Sequence, residues 1–467
     1  MFSFISNQLT ESSVTLHIHF MKKNYLIILA LSILSNGAFG QGFTLKQCVD
    51  YATTYNGNLK NATTDIRIAQ KKIDEQIGSM LPQIDASSSY TNNLLLATTL
   101  LPGEIIGQPG TQVPVTFGTK HNVQAGVQLN QKIFDPSFGV ALKAVKISKE
   151  QAEQFHRKTA EQTAYSISGI YYQTLVIGKQ INTLHATKEA SEKLLASTEL
   201  RFNNGMAKKV DVDKIRVSFN NIRSQTQQSE LSYQQSLNNL KYQMGMPVDS
   251  TLVLSPEAID TDLSVFEAPV DSFSMENRVD YQLQKITLSG YELDKKRNQS
   301  GYLPSLSLNA NYGVSAMRNK FNFTSPDEQW YPSSGIGVTL KIPIFDGLQR
   351  HARVSQSKLN IEKSKESIHL TEQSIRVDLS NYEIQYRNAI DNIRNEKDNL
   401  DLAESVYKNV QNQYQQGAGS SLDLIQAESS YTESQNNYYN KLLTLYIARI
   451  NLEQTKGTLI NYINKQK

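Results

Sequence analysis

The sequence predicts a mostly helical chain with a small transmembrane β part, written as two internal repeats. Three observations carry this reading. Two stretches alternate apolar and polar residues with the period of two that marks a strand wetted on one face. Val123, Ala125, Val127 and Leu129 alternate with Asn122, Gln124, Gly126 and Gln128, and Ile336, Val338, Leu340 and Ile342 with Gly335, Gly337, Thr339 and Lys341. Each stretch leads into Ile-Phe-Asp, at Ile133–Asp135 and Ile344–Asp346, and then into a very long helical pattern. The landmarks also recur at a nearly fixed offset: 211 residues separate Ile133 from Ile344, and 212 separate Gly205 from Gly417 and Gly245 from Gly457. A fixed period of this kind marks copies of one unit.

Residues 1–40 read as an upstream extension and a cleaved export signal, with Met21 as the expected start. Met21-Lys22-Lys23 is followed by the apolar Leu26–Leu34 and by Ala38-Phe39-Gly40, placing cleavage before Gln41. The apolar stretch is shorter than the roughly 20 residues of a membrane-spanning helix, and no Cys at the cleavage point supports a lipid anchor. The single Cys48 has no partner for an internal disulfide and no metal or nucleophile motif beside it, so it reads as a buried thiol. Hydrophobic residues make up 39% of the chain, below the usual 45–50%, which implies much wetted surface. A net charge of +3, with no basic cluster interleaved with aromatics, argues against nucleic acid. After Gln41 no apolar run would make a membrane helix, so residence in a membrane has to be through strands.

The first repeat spans 41–245. Leu45, Val49, Ala52, Leu59, Ala62, Ile66, Ala69, Ile73 and Ile77 recur at helical spacing, predicting one amphipathic helix over 43–80 that stops at Leu81-Pro82. A strand follows over 83–92, then a loop rich in Pro and Gly through Thr119, the returning strand 122–134, and a helix from about Ser137 to Asn203. Those 67 residues contain no Pro and would extend about 100 Å. Arg201-Phe-Asn-Asn-Gly205 is a turn, and a return helix runs from Asp211 to Met244. The connector 246–277 holds seven acidic residues and neither Lys nor Arg, and reads as a solvated link.

The second repeat spans 278–467 in the same order. It comprises a helix over 281–300, strands 305–313 and 335–345, a helix from Gly347 to Gln416, a turn at Gln413–Gly419 and a return helix over 422–456. Pro82 lies 51 residues before Ile133, against 40 from Pro304 to Ile344, so the first inter-strand loop carries an insertion of 11. Four strands near the 9–11 residues of a tilted membrane strand leave two open edges. In lipid each unsatisfied backbone group at such an edge costs several kcal/mol, so closure is expected between chains. With eight strands the smallest known barrel, a dimer or a trimer would serve. The helices are dense in Gln, Asn, Ser and Thr, as a hollow bundle wet on both sides tolerates. An enzyme has little support: the seven His are scattered, and no metalloprotease, nucleophile-elbow or phosphate-loop motif occurs.

The doubled set of motifs resembles the TolC family of outer-membrane efflux proteins. The carrying residues are Leu81-Pro82-Gln83-Ile84 and Leu303-Pro304-Ser305-Leu306, the two Ile-Phe-Asp exits, and the paired turns Arg201–Gly205 and Tyr414–Gly417 with Asp211 and Asp423 six residues past each Gly. The resemblance implies a homotrimer in the outer membrane of a Gram-negative bacterium, with a 12-stranded β-barrel continuous with a 12-helix periplasmic barrel. It implies an exit duct, not an enzyme, without cofactor or resident metal. The partners implied are a periplasmic adaptor (membrane fusion protein), an inner-membrane transporter of RND, ABC or MFS type, and outer-membrane lipid. The alternative is a periplasmic coiled-coil adaptor or structural protein, for which four amphipathic strands have no use.

Carried over, the resemblance makes Gly205, Met206, Ala207, Gly417, Ala418 and Gly419 candidates for adaptor docking, and Asp423, Tyr414 and Gln426 candidates for the periplasmic gate. In a trimer Asp423 would form an acidic ring; Ser420-x-x-Asp423 also fits a helix cap that puts a carboxylate in the first turn, where the dipole favours it. Two positions depart from the family pattern. Gln426 stands where some members carry a second Asp, and Gly419 where a basic latch residue occurs. Tyr90, Tyr312, Trp330 and Tyr331 are candidates for an aromatic girdle.

Overall fold

The computed structural model describes residues 42–107, 109–255, 266 and 272–465. The expected export signal lies outside the described residues, as do connector residues 256–265 and 267–271. The chain divides into two compact units: a helical unit of Met1–Lys60, Thr159–Asn277 and Ile375–Lys467, and a strand unit of Asn61–Lys158 and Arg278–Ser374.

In the strand unit, β1 (Gln83–Asn92) is followed by a small hairpin of β2 (Thr98–Pro102) and β3 (Gln112–Thr116), and then by β4 (His121–Phe134). β5 (Ser305–Arg318) and β6 (Tyr331–Lys341) complete an antiparallel four-stranded sheet of order β1-β4-β5-β6. Ile84 pairs with Leu129, Leu129 with Ala310, and Ala310 with Ile336. The next ladder down the same face joins Ala86, Val127, Tyr312 and Ser334, and the one after it Ser88, Ala125, Val314 and Pro332. The apolar sets of all four strands therefore share one face, because a period of two fixes the face once register is fixed. Asp85, Gln128, Asn311 and Gly335 pair across the other.

Three expectations are corrected here. The inter-strand loop contains the β2–β3 hairpin, since Thr98, Thr99, Leu100, Val113 and Val115 are strand formers that the neighbouring Pro and Gly obscure. β5 runs on to Arg318 rather than stopping near 313. β6 occupies 331–341 rather than 335–345; Pro343, with no N–H to give a ladder, lies beyond its end.

The helices are α1 (Leu45–Tyr55), α2 (Gly57–Gly78), α3 (Phe138–Asn203), α4 (Lys209–Met244), α5 (Val279–Ser300), α6 (Gln349–Gln415), α7 (Ser421–Lys456) and α8 (Leu459–Lys465). The single helix expected over 43–80 is broken at Asn56. There the side-chain oxygen accepts from the backbone N–H of Asn58 and Leu59, and the amide donates to the Gln243 carbonyl, so a local side-chain bond displaces the helical one. Thr44 and Gln47 close a reciprocal capping box at the start of α1.

The core of the helical unit gathers Cys48 and Ala52 of α1, Ile167, Tyr171 and Tyr172 of α3, Leu240 and Met244 of α4, Leu445 and Ile450 of α7, and Ile463 of α8. Burial pushes the Cys48 thiol up to about 12, which keeps it a neutral thiol. Polar pairs extend the helix contacts: Thr174–Ser236 at 2.6 Å, Thr183–Tyr439 at 2.8 Å and Gln180–Asn436 at 2.5 Å. These bonds give the Gln, Asn and Thr content a packing role. Where described, the connector is not merely solvated, because Leu252, Leu254 and Phe266 are buried in the core. Among the described residues no helix is long and apolar enough to cross a membrane.

Candidate functional site: the paired helical turns

The α3–α4 and α6–α7 connections both turn on a glycine in the left-handed region, Gly205 at φ 75° and Gly417 at φ 78°, as helix-ending turns require. Beneath them Leu194, Ile215, Tyr407, Tyr414, Leu424 and Ala427 form a separate small core. Among the docking candidates Met206 is 72% exposed. Gly205, Gly417 and Ala418 are exposed, while Ala207 and Gly419 are half-buried. Gly419 has no room for a side chain, since a Cβ there would lie 2.9 Å from the Tyr414 nitrogen. A basic latch residue at that position would have to distort the turn.

The structure supplies a cation from the other turn instead. Arg201, in the last turn of α3, donates from Nη2 to the Gln415 carbonyl at 2.7 Å and from Nη1 to the Tyr414 carbonyl at 3.3 Å. It satisfies the Gln415 carbonyl and adds a second donor to the Tyr414 carbonyl, which already accepts from the Gly417 N–H, at the C-terminus of α6, where the helix dipole favours positive charge. The buried Tyr414 places its hydroxyl 3.4 Å from Thr198 Oγ1. On the outgoing side, Ser421 Oγ donates to Asp211 Oδ1 at 2.5 Å, tying the starts of α4 and α7. The two hairpins are thus cross-linked at both sides of their turns. Sequence reasoning named Arg201 and Asp211 only as landmarks; a cation in a last helical turn was the available signal.

Asp423 and Gln426 are exposed on α7. They line a groove of about 580 Å³ with Glu396, Leu402 and Val406 of α6. The expected helix cap is present: Ser420 is the N-cap of α7, its Oγ accepts from the Leu422 N–H, and Asp423 stands in the first turn.

One buried carboxyl was missed. Glu428 is 3% exposed; its Oε2 accepts from Ser218 Oγ of α4 at 2.5 Å, while its Oε1 has no well-formed hydrogen bond among the described residues. Burial holds its pKa above the ordinary carboxylate value of 4.5. Because the folded pKa lies above the unfolded one, the stability that this group contributes is fully present below that ordinary value and is lost as pH rises through the folded value. Thermal unfolding followed from about pH 4 to pH 8 is expected to show this decline, and Glu428→Gln to flatten it.

The girdle candidates do not form one band. Tyr90 and Tyr312 lie on the apolar face, but Tyr312 is four residues lower in the ladder than Ala316, the residue level with Tyr90 and Val123. Tyr331, paired with Ser315, falls on the polar face. Trp330 packs against Phe323 with centroids 6.4 Å apart. A one-residue shift of parity separates positions that look equivalent in sequence.

The family model described as outer membrane efflux protein matches residues 50–246 and 284–458. The outer membrane protein TolC of Escherichia coli is 22% identical over 450 residues, covering 94% of this chain and 87% of that protein. The proteases secretion protein PrtF of Dickeya chrysanthemi is 19% identical over 447 residues, covering 94% and 93%. Among solved structures, the outer membrane protein VceC of Vibrio cholerae superposes with a TM-score of 0.66 at 15% identity, covering 88% of this chain and 96% of that one.

Proposed function

The chain belongs to the outer membrane efflux protein family, and from that premise we propose that three copies close a 12-stranded barrel above a 12-helix periplasmic tunnel, the exit duct of a tripartite pump or type I secretion system. The protein is an outer-membrane channel of a Gram-negative bacterium and not an enzyme. The observation that carries the proposal is the sheet. Its apolar face is exposed, with Ile84 at 65%, Tyr312 at 60% and Ile336 at 78%, and both edge strands are unpaired among the described residues. Lipid covers such a face, and only further copies satisfy such edges.

α6 supports the same assembly, because Leu359, Leu370, Val377 and Ile384 stand 57–64% exposed along it, a stripe suited to neighbouring helices. The offset landmarks make each chain two repeats, six repeats to the ring. Asp423 and Gln426 line the gate, with Tyr414 as its internal brace. The two glycine turns, Gly205–Ala207 and Gly417–Gly419, receive a periplasmic adaptor that joins the duct to a transporter of RND, ABC or MFS type. The adaptor alternative leaves the apolar sheet without a role.

The test is the mass of the detergent-purified protein together with its conductance in planar bilayers. Trimers with a cation-preferring conductance that Asp423→Ala abolishes are expected. Selectivity indifferent to the substitution would remove Asp423 from the gate, and a water-soluble particle without conductance would overturn the duct.

A further inference from the structure

β5 and β6 are neighbours in the sheet, so their connection has no need to leave that pair. Instead it crosses β4. Phe321 and Phe323 reach Tyr90 on the edge strand β1, edge-on, with ring centroids 5.7 and 6.3 Å away. Phe321 also meets His121 at 5.9 Å, and the Tyr90 hydroxyl lies 2.9 Å from His121 Nδ1. Arg318, only 6% exposed, holds this course. It donates from Nη1 to the Asn322 carbonyl and from Nη2 to the Glu328 carbonyl at 3.2 Å. Its guanidinium lies over Phe323 and Trp330 at 5.1 and 5.9 Å. A desolvated guanidinium with two carbonyls and two rings is a stiff anchor. The anchored loop nevertheless leaves Phe321 72% exposed and Tyr90 50% exposed at the open edge of the sheet.

We propose that this loop is a strap across the seam between copies, with Phe321 and Tyr90 packing on the apolar face of β6 of a second copy at Pro332 and Ile336. The proposal rests on closure of the barrel by copies of this chain. The occupant follows from the edges. In the order β1-β4-β5-β6 the two outer strands run in opposite senses, so β6 of a second copy laid against β1 continues the antiparallel alternation. Ile336 shares the ladder face of Ile84, as Tyr90 does, and is 78% exposed. Apolar side chains across a seam exclude water from an interstrand ladder that no covalent connection holds in register.

The test uses the full-length protein in native membranes and a short bis-maleimide. The pair Phe321→Cys with Pro332→Cys is expected to give covalent dimers and trimers, while each single variant, which keeps the buried Cys48, gives none. Phe321→Ser is expected to lower the temperature at which trimers dissociate in detergent, and Phe321→Tyr to restore it. Trimers whose two introduced cysteines both take a monofunctional maleimide yet never cross-link, and whose dissociation ignores Phe321→Ser, would overturn the strap and assign Phe321 to lipid. A monomer by mass would overturn barrel closure itself, a failure distinct from that of the strap.

Discussion

Arg201→Ala is expected to raise the open probability of the channel by about tenfold or more. The guanidinium makes two hydrogen bonds to the last carbonyls of α6, and bonds involving a charged group are worth about 1.5–3 kcal/mol each. Because Arg201 is only half-buried, the lower end applies, and about 1.4 kcal/mol is one factor of ten in an equilibrium. In a closed ring each copy contributes the same tie, so the effect compounds. Arg201→Lys keeps the charge but loses the two-pronged donor geometry and should fall between the two. Single-channel recording distinguishes this from simple unfolding, since a loosened gate conducts more and a misfolded one not at all. Ser421→Ala, which removes the Asp211 bond, should add to Arg201→Ala. An unchanged open probability in the double variant would show that these ties hold the turns without restraining the gate.

Glu453→Ala is expected to destabilise the helical unit by about 3–5 kcal/mol, the cost of leaving one member of a buried ion pair alone. Glu453 and Arg449 of α7 meet at 2.7 Å with side chains 2% and 11% exposed. Thr458 Oγ1 donates to the second carboxylate oxygen at 2.5 Å. Arg449 Nη1 donates to the Tyr386 hydroxyl, which in turn donates to the Phe266 carbonyl at 2.6 Å. The guanidinium also lies 5.0 Å from the Tyr462 ring on α8. One network therefore pins α6, α7, α8 and a point of the connector. Glu453→Gln keeps a hydrogen-bond acceptor without the charge and should lose less. Calorimetry reads the difference, and equal melting of Glu453→Ala and the unsubstituted protein would show that the network is replaceable by water.

Most of the architecture was legible because it rests on periodicity. Strand alternation and helical spacing are local properties, and the doubled order of motifs made each half a check on the other. The misses have local causes too. Asn56 interrupts a continuous apolar pattern by a side-chain bond that no periodicity records. The hairpin at 98–116 hides among Pro and Gly. Arg201, Asp211 and Glu428 take their meaning from residues more than 200 positions away, Tyr414, Ser421 and Ser218 among them for one or another.

The sequence by itself determined the types of the main elements, the one-sided alternation of the four long strands and the family, because each is carried by pattern along the chain. Tertiary structure alone decided which tyrosines share a face, that the turn at Gly419 excludes a latch side chain, and that Arg201 takes up the tie from the opposite hairpin. Strand parity and helix spacing are set by backbone geometry within a few residues. Contacts between hairpins depend on register and distance between segments far apart in the chain, which no local pattern encodes.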